Sequence, residues 1–148
     1  MKFLELFAGT RSIGKAAEAA GHEVFSVEWD KNFENIDLYA DILTVSAQDI
    51  IEKFGKPDVI WASPDCTTFS IAAISHHRRR NPETGNLDPI SDYAKFCDNV
   101  NSHVIELIKE MLMDDANEAY LEELVDDAVE NLHNKVGTDL YNFMIDAI

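Results

Sequence analysis

Short apolar runs set off by polar turns fill the first part of the chain, and a helical period takes over later. Leu4-Glu5-Leu6-Phe7 reads as the end of a first strand, and Ala8-Gly9-Thr10-Arg11-Ser12-Ile13-Gly14 as a glycine-bearing turn. Ile13, Ala16, Ala17 and Ala20 then share one face of a helix from Ser12 to about Ala20, with Gly21 placed to cap it. His22-Glu23-Val24-Phe25-Ser26-Val27-Glu28 is a second strand that ends on an acid. Ile36 to Ala40 is a short third strand or approach, ending at Asp41-Ile42. Ser46 with Asp49 reads as an N-cap and first turn of a helix through about Phe54, closed by Gly55. Pro57-Asp58 lead into a fourth strand, Val59-Ile60-Trp61-Ala62, which stops at Ser63-Pro64-Asp65 and delivers Cys66 to the end of the sheet. Strands alternating with helices predict an α/β fold with a parallel sheet and right-handed crossovers.

The pattern then changes. Ala72 to Pro89 reads as a loop, and it holds the one cluster of positive charge, His76-His77-Arg78-Arg79-Arg80. That loop either contacts phosphates or is simply solvated. The adjacent histidines are too close for a helical metal pair, so no metal is expected. From Ser91 to about Met113 a long helix is predicted, with Tyr93, Phe96, Cys97, Val100, Val104, Leu107 and Ile108 near 3.6-residue spacing; Cys97 falls in the core. From Asp114 the chain turns acidic. Leu121, Leu124, Val125, Ala128 and Leu132 form one apolar stripe, and Leu140, Phe143, Met144 and Ala147 a second. Two amphipathic acidic helices are expected, either solvated on their charged faces or offered to a protein partner. The division is a core of residues 1–113 and a helical extension of residues 114–148.

Composition sharpens this. With 148 residues and 46% hydrophobic content the chain is globular, and has room for one core. Its apolar runs are too short to span a membrane, and its N-terminus carries no signal-peptide pattern, which points to the cytoplasm. There Cys66 and Cys97, which lack metal-ligand spacing, are expected as free thiols. The formal net charge of −16 repels DNA phosphates unless a local basic patch overrides it. DNA contact is therefore confined to the His76–Arg80 loop.

An acid at the tip of the second strand, beside a glycine turn, is also how nucleoside sites are laid out. Taken together, these residues resemble the DNA cytosine-5 methyltransferases. Ser63-Pro64-Asp65-Cys66-Thr67-Thr68-Phe69-Ser70 is similar to the family's Pro-Cys nucleophile loop. Leu6-Phe7-Ala8-Gly9-Thr10-Arg11-Ser12-Ile13-Gly14 is similar to its S-adenosylmethionine loop, Glu28-Trp29-Asp30 to its ribose- and adenine-binding tip, and Asp41-Ile42 to its adenine-contacting acid. The resemblance covers roughly residues 3 to 110. It implies a partial Rossmann-like methyltransferase sheet and S-adenosylmethionine as cofactor. Phe7, Ala8, Gly9, Thr10 and Ser12 would cradle its methionine part, Glu28 hold the ribose, Trp29 pack on adenine, and Asp41 and Ile42 lie beside it. Cys66 would add to carbon 6 of a flipped-out cytosine.

The departures carry equal weight. The proline that directly precedes the family's nucleophile is Asp65 here, and a carboxylate beside Cys66 opposes thiolate formation. The chain has no Glu-Asn-Pro or Glu-Asn-Val sequence to supply the family's ring-protonating glutamate; Glu130-Asn131 falls inside a predicted helix. The later arginine motif and the target-recognition domain are missing. Two readings stay open: a truncated methyltransferase-like protein that binds S-adenosylmethionine with little or no methyl transfer on its own, and a non-catalytic acidic interaction or inhibitor protein, of a phage type that imitates DNA. In either, the fourth strand is an exposed edge. The apolar stripe Leu121, Leu124, Val125, Ala128 and Leu132 would fold back over it, or pair with its copy in a homodimer.

Overall fold

The computed structural model describes residues 1–112. The acidic segment from Asp114, with its expected helices and stripes, lies outside the described residues. The elements are β1 (Lys2–Leu6), α1 (Ser12–Ala19), β2 (Glu23–Glu28), β3 (Leu38–Tyr39), α2 (Ala47–Phe54), β4 (Val59–Ala62), α3 (Ile74–His77), β5 (Arg78–Arg80), β6 (Leu87–Pro89) and α4 (Asp92–Leu112). Single 3₁₀ turns occur at Ile42–Thr44 and Thr67–Phe69. Among the described residues the chain divides into two units, Met1–Pro64 with residues 100–112, and Asp65–Asn99.

The first unit is a parallel sheet in the order β3-β2-β1-β4, the α/β arrangement expected and consistent with a Rossmann-like methyltransferase fold. Its period of two sorts β1 cleanly. Leu4 and Leu6 are fully buried among Val27, Ile42 and Ile50, and Val100, Val104, Leu107 and Met111 of α4 complete that core. Glu5 points the other way, under α1. A Cβ at Gly14 would collide with the Glu5 carboxylate and come within 3.2 Å of Val24 Cγ1, so the glycine is what lets α1 lie so close to the sheet. On α2 the Phe54 ring stacks on Phe25 at 5.3 Å between centroids.

Helix ends follow their sequence signals. At α1, Gly21 (φ 84) donates its N–H to Glu18 and His22 donates to Ala17, the two bonds of a Schellman motif. At α2, Ser46 and Asp49 cap one another reciprocally, and the Ser46 hydroxyl holds the Asp49 carboxyl below its usual range.

The second unit departs from expectation. The loop predicted over Ala72–Pro89 contains α3 and an antiparallel hairpin, β5 paired with β6. The hairpin turn is closed by Asn81, whose side-chain oxygen accepts from the N–H groups of Glu83 and Thr84, with Gly85 in the left-handed region. Strands this short, one of them all arginine, show no alternation by which to find them. Tyr93 and Phe96, expected on the apolar face of the long helix, are exposed; Ala94 and Cys97 take the buried positions of those first turns.

Within the described residues β4 is the sheet's edge, as expected, and Trp61 on it is 46% exposed. No described helix is long and apolar enough to cross a membrane. Glu5 is 3% exposed and its Oε2 has no hydrogen-bond partner. An unpartnered buried polar group costs about 1–3 kcal/mol. Glu5→Met, which keeps the volume and removes the polar atoms, should therefore stabilise the protein by about 1 kcal/mol, read as a higher urea midpoint by circular dichroism.

Candidate functional site

The turn between β1 and α1 is built by backbone conformation. Phe7, Gly9 and Arg11 alternate with their neighbours in the left-handed region, at φ 59, 50 and 56. Ala8 donates its N–H to Val27 O at 3.1 Å, which ties the turn to β2, and Arg11 donates to Ala8 O at 2.7 Å. The Arg11 side chain is buried and paired with Glu18 of α1. Thr10 and Ser12 are exposed, with hydroxyls 2.8 Å apart. No side chain caps the first turn of α1.

Glu28 ends β2, nearly buried, with both carboxylate oxygens engaged. Oε2 accepts the Gly9 N–H at 2.9 Å; Oε1 accepts those of Trp29 at 2.9 Å and Asp30 at 3.0 Å. One acid thus joins the β1 turn to the tip of β2. Trp29, the next residue, is 69% exposed. Beyond it, Asp37 accepts from both the N–H and the hydroxyl of the buried Ser26, at 2.8 and 2.6 Å, fixing the approach to β3. Asp41 accepts from Leu43 N–H at 3.0 Å and so caps a 3₁₀ turn, while the Ile42 side chain is buried in the core. Phe7, Ala8, Gly9, Glu28, Trp29 and Asp41 therefore gather at the carboxyl ends of β1, β2 and β3.

Cys66 lies in the second unit, exposed, at the head of the Thr67–Phe69 turn. The carboxylate of Asp65 is not aimed idly at the thiol. Its Oδ1 accepts the Thr67 N–H at 2.7 Å and its Oδ2 the Tyr93 hydroxyl. These bonds, Thr67 first and then Tyr93, hold the Asp65 carboxyl below its usual range, and Asp65 in turn pushes the Tyr93 phenol up to about 12. Cys97 is buried, and burial first, then the Asp65 charge, push its thiol up.

Arg78 overturns part of the phosphate-loop expectation. It is 5% exposed. Its guanidinium meets both Asp98 oxygens at 2.5 and 3.0 Å, donates to Thr68 Oγ1 at 2.9 Å, and lies 3.6 Å above the centre of the Phe69 ring. A group so enclosed serves the turn after Cys66 and not a phosphate. Arg79 and Arg80 remain exposed. His77 is held by Ser91 at 2.8 Å and by the edge of Tyr93. Sequence reasoning missed Asp98, Thr68, Ser26 and Asp37. No local signal marks the first pair, whereas Asp37, a short polar residue just before a strand, is an ordinary position for a side-chain cap.

Against families of known proteins, the profile described as C-5 cytosine-specific DNA methylase matches residues 1–134. Comparison with curated proteins found no match.

Arg78→Ala would leave Thr68 and Asp98 without their partner and a void beside Phe69. The expected loss is about 2–3 kcal/mol, below the roughly 3–5 kcal/mol of a fully buried ion pair because Asp98 is partly solvated. Arg79→Ala, on the surface, should fall within about 0.5 kcal/mol of wild type. Denaturant melts of the two variants check this, and equal midpoints would return Arg78 to the surface set.

Proposed function

The chain belongs to the C-5 cytosine-specific DNA methylase family, and on that premise we propose that it binds S-adenosylmethionine at the carboxyl ends of β1 and β2. The observation that carries this is the Glu28 carboxylate, because it makes the glycine turn and the β2 tip one rigid unit.

The residues present fit the group. Oε2 of Glu28 accepts one bond and keeps a lone pair for a ribose hydroxyl. Trp29 offers an exposed indole for adenine to stack on. The uncapped first turn of α1 presents N–H groups suited to the methionine carboxylate. A Cβ added at Gly9 would meet only Phe33, at 4.0 Å, so the space above the turn is open. When bound, the cofactor supplies a methyl group on a positive sulfur, ready for a carbon nucleophile.

Cys66 would provide that nucleophile indirectly. Its thiolate would add to carbon 6 of cytosine, electron density would move to carbon 5, and carbon 5 would become nucleophilic enough to accept a methyl group. Loss of the carbon-5 proton then expels the cysteine. The exposed Arg79 and Arg80 on the hairpin would contact the DNA backbone. Protonation of the ring as the thiol adds needs a general acid, a contribution of about 10²–10⁴ in rate, and the sequence has no Glu-Asn-Pro or Glu-Asn-Val to provide it. These 148 residues by themselves are thus read as a cofactor-binding module with little or no methyl transfer.

Calorimetry tests the binding. Glu28→Ala should weaken S-adenosylmethionine tenfold or more, from the loss of an interaction of about 1.5–3 kcal/mol. Trp29→Ala should weaken it about tenfold with the melting temperature unchanged. No heat with wild type at millimolar cofactor would refute the reading. Transfer of a tritiated methyl group to duplex DNA should stay at background; transfer that disappears in Cys66→Ser would show that the missing acid is supplied in another way.

A further inference from the structure

Cys66 stands between two fixed points. On its N-terminal side, Asp65 reaches across it to the Thr67 N–H at 2.7 Å, an Asx turn that encloses the cysteine. The same carboxylate accepts the hydroxyl of Tyr93, in the first turn of α4. On its C-terminal side, Cys66 O accepts the Phe69 N–H at 2.9 Å, and Thr68, fully buried, is bonded to Arg78. Cys66 is held between them at φ −99 and ψ 7.

We propose that Asp65 and Tyr93 are positioning residues for Cys66: the Tyr93 hydroxyl fixes the Asp65 carboxylate, and the Asx turn of that carboxylate sets the backbone of the thiol-bearing residue. The inference rests on the reading of Cys66 as nucleophile. A short acid alone closes an Asx turn only part of the time, since its side chain has other rotamers. The tyrosine removes that freedom by occupying the second oxygen, and the charge makes both bonds strong. Proline at this position would fix the φ of residue 65 by its ring, one residue before the one that the Asx turn sets. Either device narrows the path of the chain into the cysteine.

The experiment uses a nitroxide methanethiosulfonate coupled to Cys66. Cys97, buried, stays unlabelled, which mass spectrometry verifies. In wild type the nitroxide spectrum should be that of a restrained side chain. Tyr93→Phe and Asp65→Ala should each shorten its correlation time by roughly twofold or more, and the double variant should be no more mobile than either single one. Asp65→Pro combined with Tyr93→Phe should return the wild-type spectrum. Tyr93 is exposed, so melting by circular dichroism should hardly move in Tyr93→Phe. An unchanged spectrum in Tyr93→Phe, failure of proline to restore it, or mobility that merely follows a falling melting temperature would each overturn the proposal. The measurement needs neither cofactor nor DNA, so its failure is separable from a failure to bind S-adenosylmethionine.

Discussion

The first unit depends on one buried carboxylate. Glu28 takes three backbone N–H groups, from Gly9, Trp29 and Asp30. A charge in that position is costly unless it is satisfied, and charge-assisted bonds are the strong kind that can offset the cost. The bonds also do geometric work. The glycine turn after β1, held otherwise by the Ala8 to Val27 and Arg11 to Ala8 backbone bonds, gains its link to the tip of β2 this way, and Trp29 is on the surface, 69% exposed. Both are located through the same side chain. Asp37 adds a second clamp further along, by tying the approach to β3 back to Ser26.

The second unit uses the opposite charge for the same end. Asp65–Asn99 is short and contributes few large buried apolar groups. Its Arg78 guanidinium is a flat fork that reaches a helix through Asp98, a 3₁₀ turn through Thr68 and an aromatic face through Phe69. Lysine could not replace it, since a point charge does not make the bidentate pair or stack on a ring. In each unit, then, a well-bonded ion sits beside the residues on which the chemistry would depend.

Much of this was legible in the chain. β1, α1 and β2 follow from apolar spacing and the Gly21 stop, and the acid at the β2 tip was found by position alone. α4 was visible from its 3.6-residue stripe, although periodicity does not say where a neighbouring element stops covering it. That is why Tyr93 and Phe96 were placed inside and are outside. The hairpin was hidden because Arg78–Arg80 and Leu87–Pro89 are too short to alternate. Charge was read as surface, yet one arginine of three is buried, and its partner Asp98 lies twenty residues away. Asp65 was legible as a charge next to a thiol, but the bonds that direct it elsewhere come from Thr67 and from Tyr93 on a distant helix.

The two tryptophans are both on the outside, Trp29 at the tip of β2 and Trp61 on the sheet's edge strand. An indole already in water emits at long wavelength and changes colour little when the chain unfolds. Intrinsic fluorescence of this protein is accordingly a poor gauge of folding and a good gauge of its surfaces. A base stacked on Trp29 would quench one fluorophore, and a strand laid along β4 would shift the other to the blue. The two signals can be separated by replacing either residue with phenylalanine, so the protein carries its own optical labels at the tip of β2 and on the β4 strand.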